Sequence, residues 1–389
     1  MSLRLGLDGT PLLGLRSGVG QYTGRLLAAL LQAYPDWSYL LYTNRPLAPL
    51  EEALARAQPV LAHFPHSRWL WMQFVLPGVI RQSGVDLCHF TNAQAPLLPG
   101  APFVLTIHDA SLFLYSQYHP RTRLLAMRSL LPALSRRAAA IITVSQQARQ
   151  ELSRVLNISP AKIFVVHEAA PDHFHPVLDP QRQAALRQKY HLPPRFLLHV
   201  GTLEPRKNLD RLVRALAQVR RQGYPHPLIL AGPTGWHMEH FMAKVAACGM
   251  TDRVRYLGYV PTADLPALFS CADLFVYPSL YEGFGLPLVE AMACGAPVLT
   301  SNLPTIVEVC ADAACLVDPY DEAALAAAIS DLLVDAGKRR ELRQRGLARA
   351  ADFSWRRAAR ETALVYRRVL PSPVLFLPEQ DLSPPQPTA

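Results

Sequence analysis

Two glutamates eight positions apart, Glu282 and Glu290, are the residues of this sequence best suited to chemistry. Gly283 and Gly285 lie between them and let the backbone turn tightly and approach a ligand. We expect the next helix to begin near Leu286, with its free N–H groups directed at an anion such as a diphosphate. Carboxylates beside such an anion accept hydrogen bonds from hydroxyl groups. The stretch therefore predicts a sugar-nucleotide site, and a strand–turn–helix unit with a capping glutamate is the alternative.

A basic pair, Arg206 and Lys207, lies in the loop 201–208 between an apolar strand and a helix. Cations at a helix N-terminus are unfavourable unless an anion is nearby. Arginine offers a bidentate fork and lysine a point charge, so the pair could neutralise a diphosphate. Only five of the 39 basic residues are lysines, which gives Lys207 added weight. A solvated pair of charges is the alternative.

Further candidates follow an apolar strand of the first half, Phe103–Ile107. Ligands of parallel sheets bind beyond the carboxyl ends of the strands. His108 could therefore form a hydrogen bond with a sugar hydroxyl, and Asp109 either orients it or caps the next segment. A structural histidine with satisfied hydrogen bonds is the alternative. Ser145, which ends the following strand, is expected to cap a helix.

Gly18 and Gly20 lie in a loop that follows the first strand and opens a helix. Their spacing is not the G-x-G-x-x-G fingerprint, so a dinucleotide oxidoreductase is disfavoured. The backbone of this loop could approach a sugar or a phosphate. A flexible turn is the alternative.

The composition excludes several classes of protein. The sequence has no run of 18 apolar residues and no apolar signal core at its N-terminus, so we expect neither a membrane span nor secretion, and predict a cytoplasmic location. The six cysteines form no C-x-x-C pair and are expected to be reduced. The 13 histidines lack compact ligand spacing, even in the pairs His63/His66 and His237/His240, so we predict no metal.

Short apolar strands alternate with helical patterns along most of the 389 residues, as is typical of parallel sheets covered by helices. A proline-rich stretch interrupts this alternation. The sequence therefore predicts two doubly wound, Rossmann-like α/β domains that face each other across a ligand-binding cleft. The predicted segments are an N-terminal domain at 1–170, a linker at 171–194, a second domain at 195–354, a last helix at 355–370 and a disordered tail at 371–389.

The predicted strands are 3–8, 39–43, 87–90, 103–108, 140–144 and 163–167 in the first half, and 196–201, 228–231, 254–259, 274–277 and 297–300 in the second. The predicted helices are 21–33, 70–80, 121–137, 146–156, 208–222, 323–334, 338–351 and 355–370. Asn208 is expected to cap the helix that it begins.

Positive charge is concentrated in the first half of the chain. Residues 1–190 hold 18 Lys/Arg and 10 Asp/Glu, whereas residues 191–389 hold 21 and 20. The stacking aromatics and helix-turn-helix patterns of nucleic-acid-binding proteins are missing, so we expect no nucleic-acid partner. A basic amphipathic helix at 121–137 could lie on an anionic membrane, and a surface helix with solvated arginines is the alternative.

These motifs resemble those of the family 4 retaining glycosyltransferases of the GT-B fold, over about residues 1–370. The resemblance rests on Gly201-Thr-Leu-Glu-Pro-Arg-Lys-Asn208, on Glu282-Gly-Phe-Gly-Leu-Pro-Leu-Val-Glu290, and on His108-Asp109 after an apolar strand. Many relatives carry arginine at the position of Thr202, and Arg206 would replace it here. The Glu-Pro-Arg-Lys-Asn sequence resembles a subgroup with bacterial mannosyltransferases of polysaccharide assembly.

The resemblance implies a role for each matching side chain. Arg206 and Lys207 would hold the donor diphosphate. Glu282 would contact the transferred sugar, Glu290 the ribose, and His108 the region of the primary hydroxyl. The other implied donor-site residues act through backbone groups or the N-terminal loop: Gly18, Gly20, Tyr259, Val260, Phe284, Gly285 and Leu286. The last helix would cross back to the first domain.

The activity implied by the resemblance is transfer of a hexose, with mannose from GDP-mannose favoured over a UDP-sugar, to a hydroxyl of a sugar or lipid-linked acceptor. The anomeric configuration would be retained, and neither a metal nor another cofactor would be required. Two alternatives stay open at this point. One is a GT-B nucleotide-sugar epimerase, and the other is a non-catalytic sugar-nucleotide-binding subunit, against which the intact motifs argue.

Overall fold

The computed structural model describes residues 2–14, 18–48, 51–64, 67–118, 121–224, 226–235 and 238–370. The predicted tail at 371–389 lies outside these residues, as do His66 and His237 of the two histidine pairs.

The first sheet has seven strands: β1 (Arg4–Asp8), β2 (Ser38–Thr43), β3 (Gln58–Leu61), β4 (Leu87–Phe90), β5 (Phe103–Thr106), β6 (Ala140–Thr143) and β7 (Ile163–Val165). Their order is β3-β2-β1-β4-β5-β6-β7. The pairs β1–β2, β2–β3, β1–β4 and β4–β5 are parallel. Strand order therefore reverses between β1 and β4.

The second sheet has six strands: β8 (Leu197–Val200), β9 (Leu228–Ala231), β10 (Val254–Tyr256), β11 (Leu274–Tyr277), β12 (Val298–Ser301) and β13 (Cys315–Val317). Their order is β10-β9-β8-β11-β12-β13, and every neighbouring pair is parallel. The order reverses between β8 and β11, and ligands of such sheets bind beyond the carboxyl ends of the strands at this switch point.

The helices between these strands are α1 (Gly18–Ala33), α2 (Arg68–Leu70), α3 (Leu76–Ser83), α4 (Ser111–Leu114), α5 (Arg121–Arg137), α6 (Gln146–Leu156), α7 (Pro180–Lys189), α8 (Leu209–Arg221), α9 (Met238–Ala247), α10 (Leu265–Cys271), α11 (Leu286–Ala293), α12 (Pro304–Cys310), α13 (Glu322–Val334), α14 (Ala336–Ala351) and α15 (Trp355–Val369). A π-helical turn, Trp71–Val75, joins α2 to α3.

Burial explains why the second sheet forms. All four residues of β8, β9, β11 and β12 are buried, as expected for strands covered on both faces. Helix α8 buries one apolar face, which includes Leu209, Leu212, Val213 and Leu216, in the core formed with these strands. The predicted pair of parallel, Rossmann-like sheets is confirmed.

The chain divides into two compact units. The first comprises Met1–Thr106, Arg137–Ile141 and Ala359–Ala389, and the second comprises Ile107–Arg136 and Ile142–Ala358. Within the first unit, the hydroxyl of Tyr366 on α15 lies 2.6 Å from Nδ1 of His89 at β4. The domain boundaries given from the sequence stay predictions.

Several local predictions were wrong. Asn208 precedes α8 in a left-handed conformation and its side chain does not cap the helix. Its Nδ2 instead donates to the carbonyl oxygens of Pro278 and Pro319. Strand β5 ends at Thr106, two residues before the end predicted for the strand 103–108.

Two general features complete the fold. None of the helices in the described ranges is both long and apolar enough to cross a bilayer. All six cysteines are free, and four of them are buried.

Candidate functional site

A buried ion pair joins two loops at the switch point of the second sheet. The loop after β8 carries Lys207 and the loop after β11 carries Glu282, and Nζ lies 2.6 Å from Oε1. Lys207 is 6% exposed and Glu282 is 7% exposed. Nζ also donates to the hydroxyl of Tyr277 over 2.6 Å and lies 4.8 Å from the centre of that ring. The alternative of a solvated charge is therefore wrong for Lys207.

Arg206 shares the carboxylate of Glu282. Its Nη1 lies 3.4 Å from Oε2 of Glu282 and donates to the carbonyl oxygen of Tyr281 over 3.0 Å. Its Nη2 donates to Oε1 of Glu204 over 2.7 Å. Two cations and two carboxylates thus lie together, so an anion that binds either cation must compete with Glu204 and Glu282.

Burial and neighbouring charges shift the pKa values of this cluster. Burial alone would raise the pKa of Glu282, but Lys207 and Arg206 lower it to about 2. Burial lowers the pKa of Lys207 despite the attraction of Glu282. Burial also opposes the charge of Arg206, but Glu282 and Glu204 raise its pKa. Charge attraction outweighs burial for Glu282 but not for Lys207. Glu282 faces two cations, whereas Lys207 faces one close carboxylate and the repelling guanidinium of Arg206.

The glycine loop, residues 283–285, leads from the ion pair into α11. A Cβ atom at Gly283 would lie 2.3 Å from the carbonyl oxygen of His108, so only glycine fits there without a shift of the backbone. Gly285 has a φ of +91° and precedes α11, which begins at Leu286. The predicted turn and helix start are confirmed. Gly285 brings no side chain to cap the first turn.

Ser145 links α6 to the glycine loop. Its Oγ accepts a hydrogen bond from the backbone N–H of Ala148 over 3.1 Å, which confirms the predicted cap. The same hydroxyl donates to the carbonyl oxygen of Gly283 over 2.7 Å. This second bond was not predicted, because it joins residues 138 positions apart.

His108 lies beside the glycine loop and pairs with a carboxylate. Its Nδ1 lies 3.2 Å from Oε1 of Glu168, a residue that the sequence analysis missed. Glu168 follows β7 by three residues, so its position after an apolar strand was the signal that could have found it. Asp109 accepts the backbone N–H of Ser111 over 2.8 Å and thus caps the next segment.

Tyr281 anchors the chain just before Glu282 and the glycine loop. The sequence analysis did not identify this residue either. Its hydroxyl accepts the backbone N–H of Ala110 over 2.9 Å and donates to Oε2 of Glu151 over 2.7 Å. Its ring lies 4.6 Å from that of Tyr115. These bonds hold the residue next to Glu282 and thereby limit where that carboxylate can move.

The structure also describes the other residues of the second unit that the resemblance implies for a donor site. Phe284 is buried, with its ring 5.9 Å from that of His167. Glu290 is buried at the fifth position of α11, and Val260 is buried in the loop after β10, next to the half-exposed Tyr259.

Within the second unit, the structure brings part of the predicted set together. Arg206, Lys207 and Glu282 are in contact, and His108 contacts the adjacent Gly283. Gly18 and Gly20 lie at the start of α1 in the first unit. Within the described ranges, no group of three or more His, Cys, Asp or Glu side chains could hold a metal ion.

Two family models match the chain. The model described as Glycosyltransferase Family 4 covers residues 16–171, and that described as Glycosyl transferases group 1 covers residues 183–349. O-antigen chain mannosyltransferase B of Escherichia coli is 40% identical over 268 residues, which are 68% of this chain and 70% of that protein. The serotype-specific mannosyltransferase WbdA of Escherichia coli is 33% identical over 241 residues, which are 61% of this chain but 29% of WbdA.

Solved structures share the fold over nearly the whole chain. Anabaena HepE, crystallised with UDP and glucose, has a TM-score of 0.75 at 21% identity, covering 95% of this chain and 100% of that one. WaaG, a glycosyltransferase involved in lipopolysaccharide biosynthesis, has a TM-score of 0.73 at 16% identity, covering 93% and 98%. At these identities the likeness concerns the fold alone.

Proposed function

The chain belongs to the family 4 glycosyltransferases of the GT-B fold, and we propose that it transfers mannose from GDP-mannose to a hydroxyl of a growing saccharide. The observation that carries this proposal is the buried Lys207–Glu282 pair directly before the glycine loop and α11. This pair supports the proposal, because a buried cation suited to a diphosphate lies beside a carboxylate that can accept hydrogen bonds from sugar hydroxyls. The names of the two Escherichia coli relatives support mannose as the sugar and polysaccharide assembly as the pathway.

Each group in the cluster has a separate task in this proposal. Arg206 and Lys207 bind the diphosphate and stabilise the charge that it gains as it leaves. The start of α11 adds the backbone N–H of Leu286 and the positive end of the helix dipole. Glu282, released from the cations by the incoming diphosphate, accepts hydrogen bonds from the sugar, and Glu290 accepts those of the ribose.

The reaction breaks the bond between the anomeric carbon and the diphosphate oxygen and forms one from that carbon to the acceptor oxygen. The acceptor proton goes to the departing phosphate oxygen, so the products are a glycoside and GDP. With attack on the face that the leaving group vacates, the anomeric configuration is retained. This route needs no carboxylate base, in contrast to hydrolases that flank the bond with two carboxylates, and we propose that it needs no metal.

Transfer is favoured over the two alternative functions because the relatives are named as transferases. An epimerase would convert GDP-mannose without any acceptor, and a binding subunit would convert nothing. The proposed acceptor is a sugar or a lipid-linked saccharide, and the proposed location is the cytoplasm, with peripheral contact to the inner face of the membrane.

A thermal-shift panel of nucleotide sugars tests the donor assignment. A ligand that binds only the native state raises the melting temperature. We expect GDP-mannose at about 100 times its Kd to stabilise the protein by about 3 kcal/mol, seen as an increase of several degrees. UDP-glucose at the same concentration serves as the matched comparison. A shift with UDP-glucose and none with GDP-mannose would show that the donor is wrong, and no shift with any nucleotide sugar would contradict the function.

A further inference from the structure

The hydroxyl of Tyr277 is a buried polar group to which the proposed function assigns no role. Tyr277 ends β11 and is 1% exposed. A buried tyrosine hydroxyl needs a hydrogen-bond partner, and this one accepts a hydrogen bond from Nζ of Lys207 over 2.6 Å. Phenylalanine would fill the same apolar space without needing a partner. Packing alone therefore does not explain a tyrosine at this position.

The ring of Tyr277 is fixed by its neighbours on β8, β11 and β12. It stacks on the ring of His199, with 5.3 Å between the ring centres and 14° between the ring planes. It also stacks on the ring of Phe275, with 5.7 Å and 21°. The carbonyl oxygen of Tyr277 accepts the hydroxyl of Thr300 over 2.7 Å. The sheet thus sets the position of the hydroxyl that Lys207 contacts.

The ammonium group of Lys207 also donates to Oε1 of Glu282 over 2.6 Å. In the proposed function the donor diphosphate takes the place of this carboxylate. A lysine carries its charge on a flexible four-carbon stem, so the ammonium group then needs another contact to keep its position. Tyr277 provides a neutral one, because burial raises the pKa of its hydroxyl well above the usual 10. A neutral acceptor does not repel a diphosphate, whereas a second carboxylate would.

The charged groups around Lys207 do not depend on this hydroxyl. Burial lowers the pKa of Lys207, and three nearby charged groups adjust it: Glu282, Arg206 and Glu204. His199 is neutral near pH 7, because burial lowers its pKa to about 4. A phenylalanine at position 277 leaves all these groups in place and removes one acceptor of the ammonium group. The pKa of Lys207 should therefore fall further in Tyr277→Phe.

We propose that Tyr277 is a positioning residue whose neutral hydroxyl keeps the ammonium group of Lys207 directed at the donor diphosphate. This inference rests on the proposed function, because it assumes that Lys207 binds the diphosphate. Tyr277 acts through Lys207 and not by contact with the reacting atoms. Its effect on donor binding should therefore disappear when Lys207 is absent.

The titration of Lys207 provides a test that needs no ligand. The chain has only five lysines, so ¹³Cε–¹⁵Nζ correlation spectra of the whole protein with labelled lysine give few signals, and Lys207→Arg identifies that of Lys207. In Tyr277→Phe we expect this signal to titrate at a lower pH than in the wild type. Tyr190→Phe is the matched control, because the Tyr190 hydroxyl donates to Asp264 over 2.6 Å in the same unit. Its loss should leave the Lys207 signal unchanged.

Binding then separates positioning from a structural role. We expect Tyr277→Phe to weaken GDP binding about tenfold near pH 7, and Tyr190→Phe to bind GDP like the wild type. In the Lys207→Ala background, Tyr277→Phe should leave GDP affinity nearly unchanged.

An unchanged Lys207 titration in folded Tyr277→Phe overturns the inference. Wild-type GDP affinity in that variant does so too, and so does an equal loss of affinity with and without Lys207. If the wild type binds neither GDP nor any nucleotide sugar, the proposed function has failed, while the titration still decides whether Tyr277 supports the ammonium group of Lys207.

Discussion

Lys207 combines a positive charge with almost complete burial, which costs free energy that pairing only partly offsets. Its ammonium group contacts Glu282 and Tyr277 and leaves little surface to water. The desolvation of a buried ion pair often cancels its attraction, so the pair is weak grounds for stability. A ligand diphosphate, by contrast, gains from a cation that water does not screen.

The pH dependence of GDP binding follows from the burial of Lys207. Burial lowers the pKa of this lysine below its usual 10.5, and only the ammonium form attracts the diphosphate. As the pH rises, affinity should therefore start to decline at a lower pH than it would with a lysine of the usual pKa. An arginine at position 207 stays charged at pH values where the lysine loses its proton. Lys207→Arg should therefore not show the part of the decline in GDP affinity that comes from Lys207.

Calorimetric titration of GDP from about pH 7 to about pH 10 measures the effect, a range in which an arginine stays protonated. The guanine base also titrates in this pH range, but it does so equally in experiments with the wild type and with Lys207→Arg. The difference between the two affinity curves therefore reports the titration of Lys207. Parallel curves for the wild type and Lys207→Arg would rule this explanation out.

At the scale of elements, the glycine loop has no space for a side chain at Gly283, because the carbonyl oxygen of His108 occupies it. Gly283→Ala should therefore displace the loop, lower transfer at least about tenfold and lower the melting temperature by a few degrees. Gly78→Ala on α3 is the control, since a Cβ atom there meets nothing within 4 Å and alanine favours a helix. Gly283→Ala with the transfer rate and melting temperature of Gly78→Ala would count against the loop geometry.

The elements that carry the site were largely predictable from the sequence. Strand β11 and helix α8 have strong apolar patterns, and the glycines with Pro287 indicated where α11 begins. Short or half-exposed elements lacked such patterns, and these were not predicted: β3, β13, α4, α7, α9, α10 and α12. Strand β3, for example, has no buried residue.

Side-chain partners distant in the sequence were harder to predict. Asn208 looked like a helix cap, but tertiary contacts with the carbonyl oxygens of Pro278 and Pro319 outweigh that local preference. The pairing of His108 with Glu168 and the anchoring of Tyr281 by Glu151 depend on loops that meet only in the folded chain. A single sequence contains no signal that shows which distant residues come into contact.

At the scale of the whole molecule, the excess of positive charge in residues 1–190 fits an anionic membrane or a lipid-linked acceptor. Arg136 and Arg137 are exposed at the end of α5. We expect the protein to sediment with vesicles that contain anionic lipid at low ionic strength and to be released at about 0.5 M salt, where the Debye length is only a few Å.

Neutral vesicles and the Arg136→Gln/Arg137→Gln variant serve as the comparisons. We expect less wild-type protein to sediment with neutral vesicles, and less of the variant to sediment with anionic vesicles. A protein that binds GDP-mannose but not the anionic vesicles would show that the charge serves solubility alone.

The central claim is that the buried cations of the second unit hold the diphosphate of a nucleotide sugar. Calorimetric titration of GDP-mannose into the wild type, Lys207→Ala and Lys189→Ala tests it most directly, because the Lys189 side chain is 57% exposed and pairs with Asp264 away from the cluster. The double variant Lys207→Ala/Glu282→Gln avoids leaving the Glu282 charge without its lysine. We expect both Lys207 variants to lose at least about 100-fold in affinity and Lys189→Ala to bind like the wild type. Wild-type affinity in both folded Lys207 variants would contradict the claim.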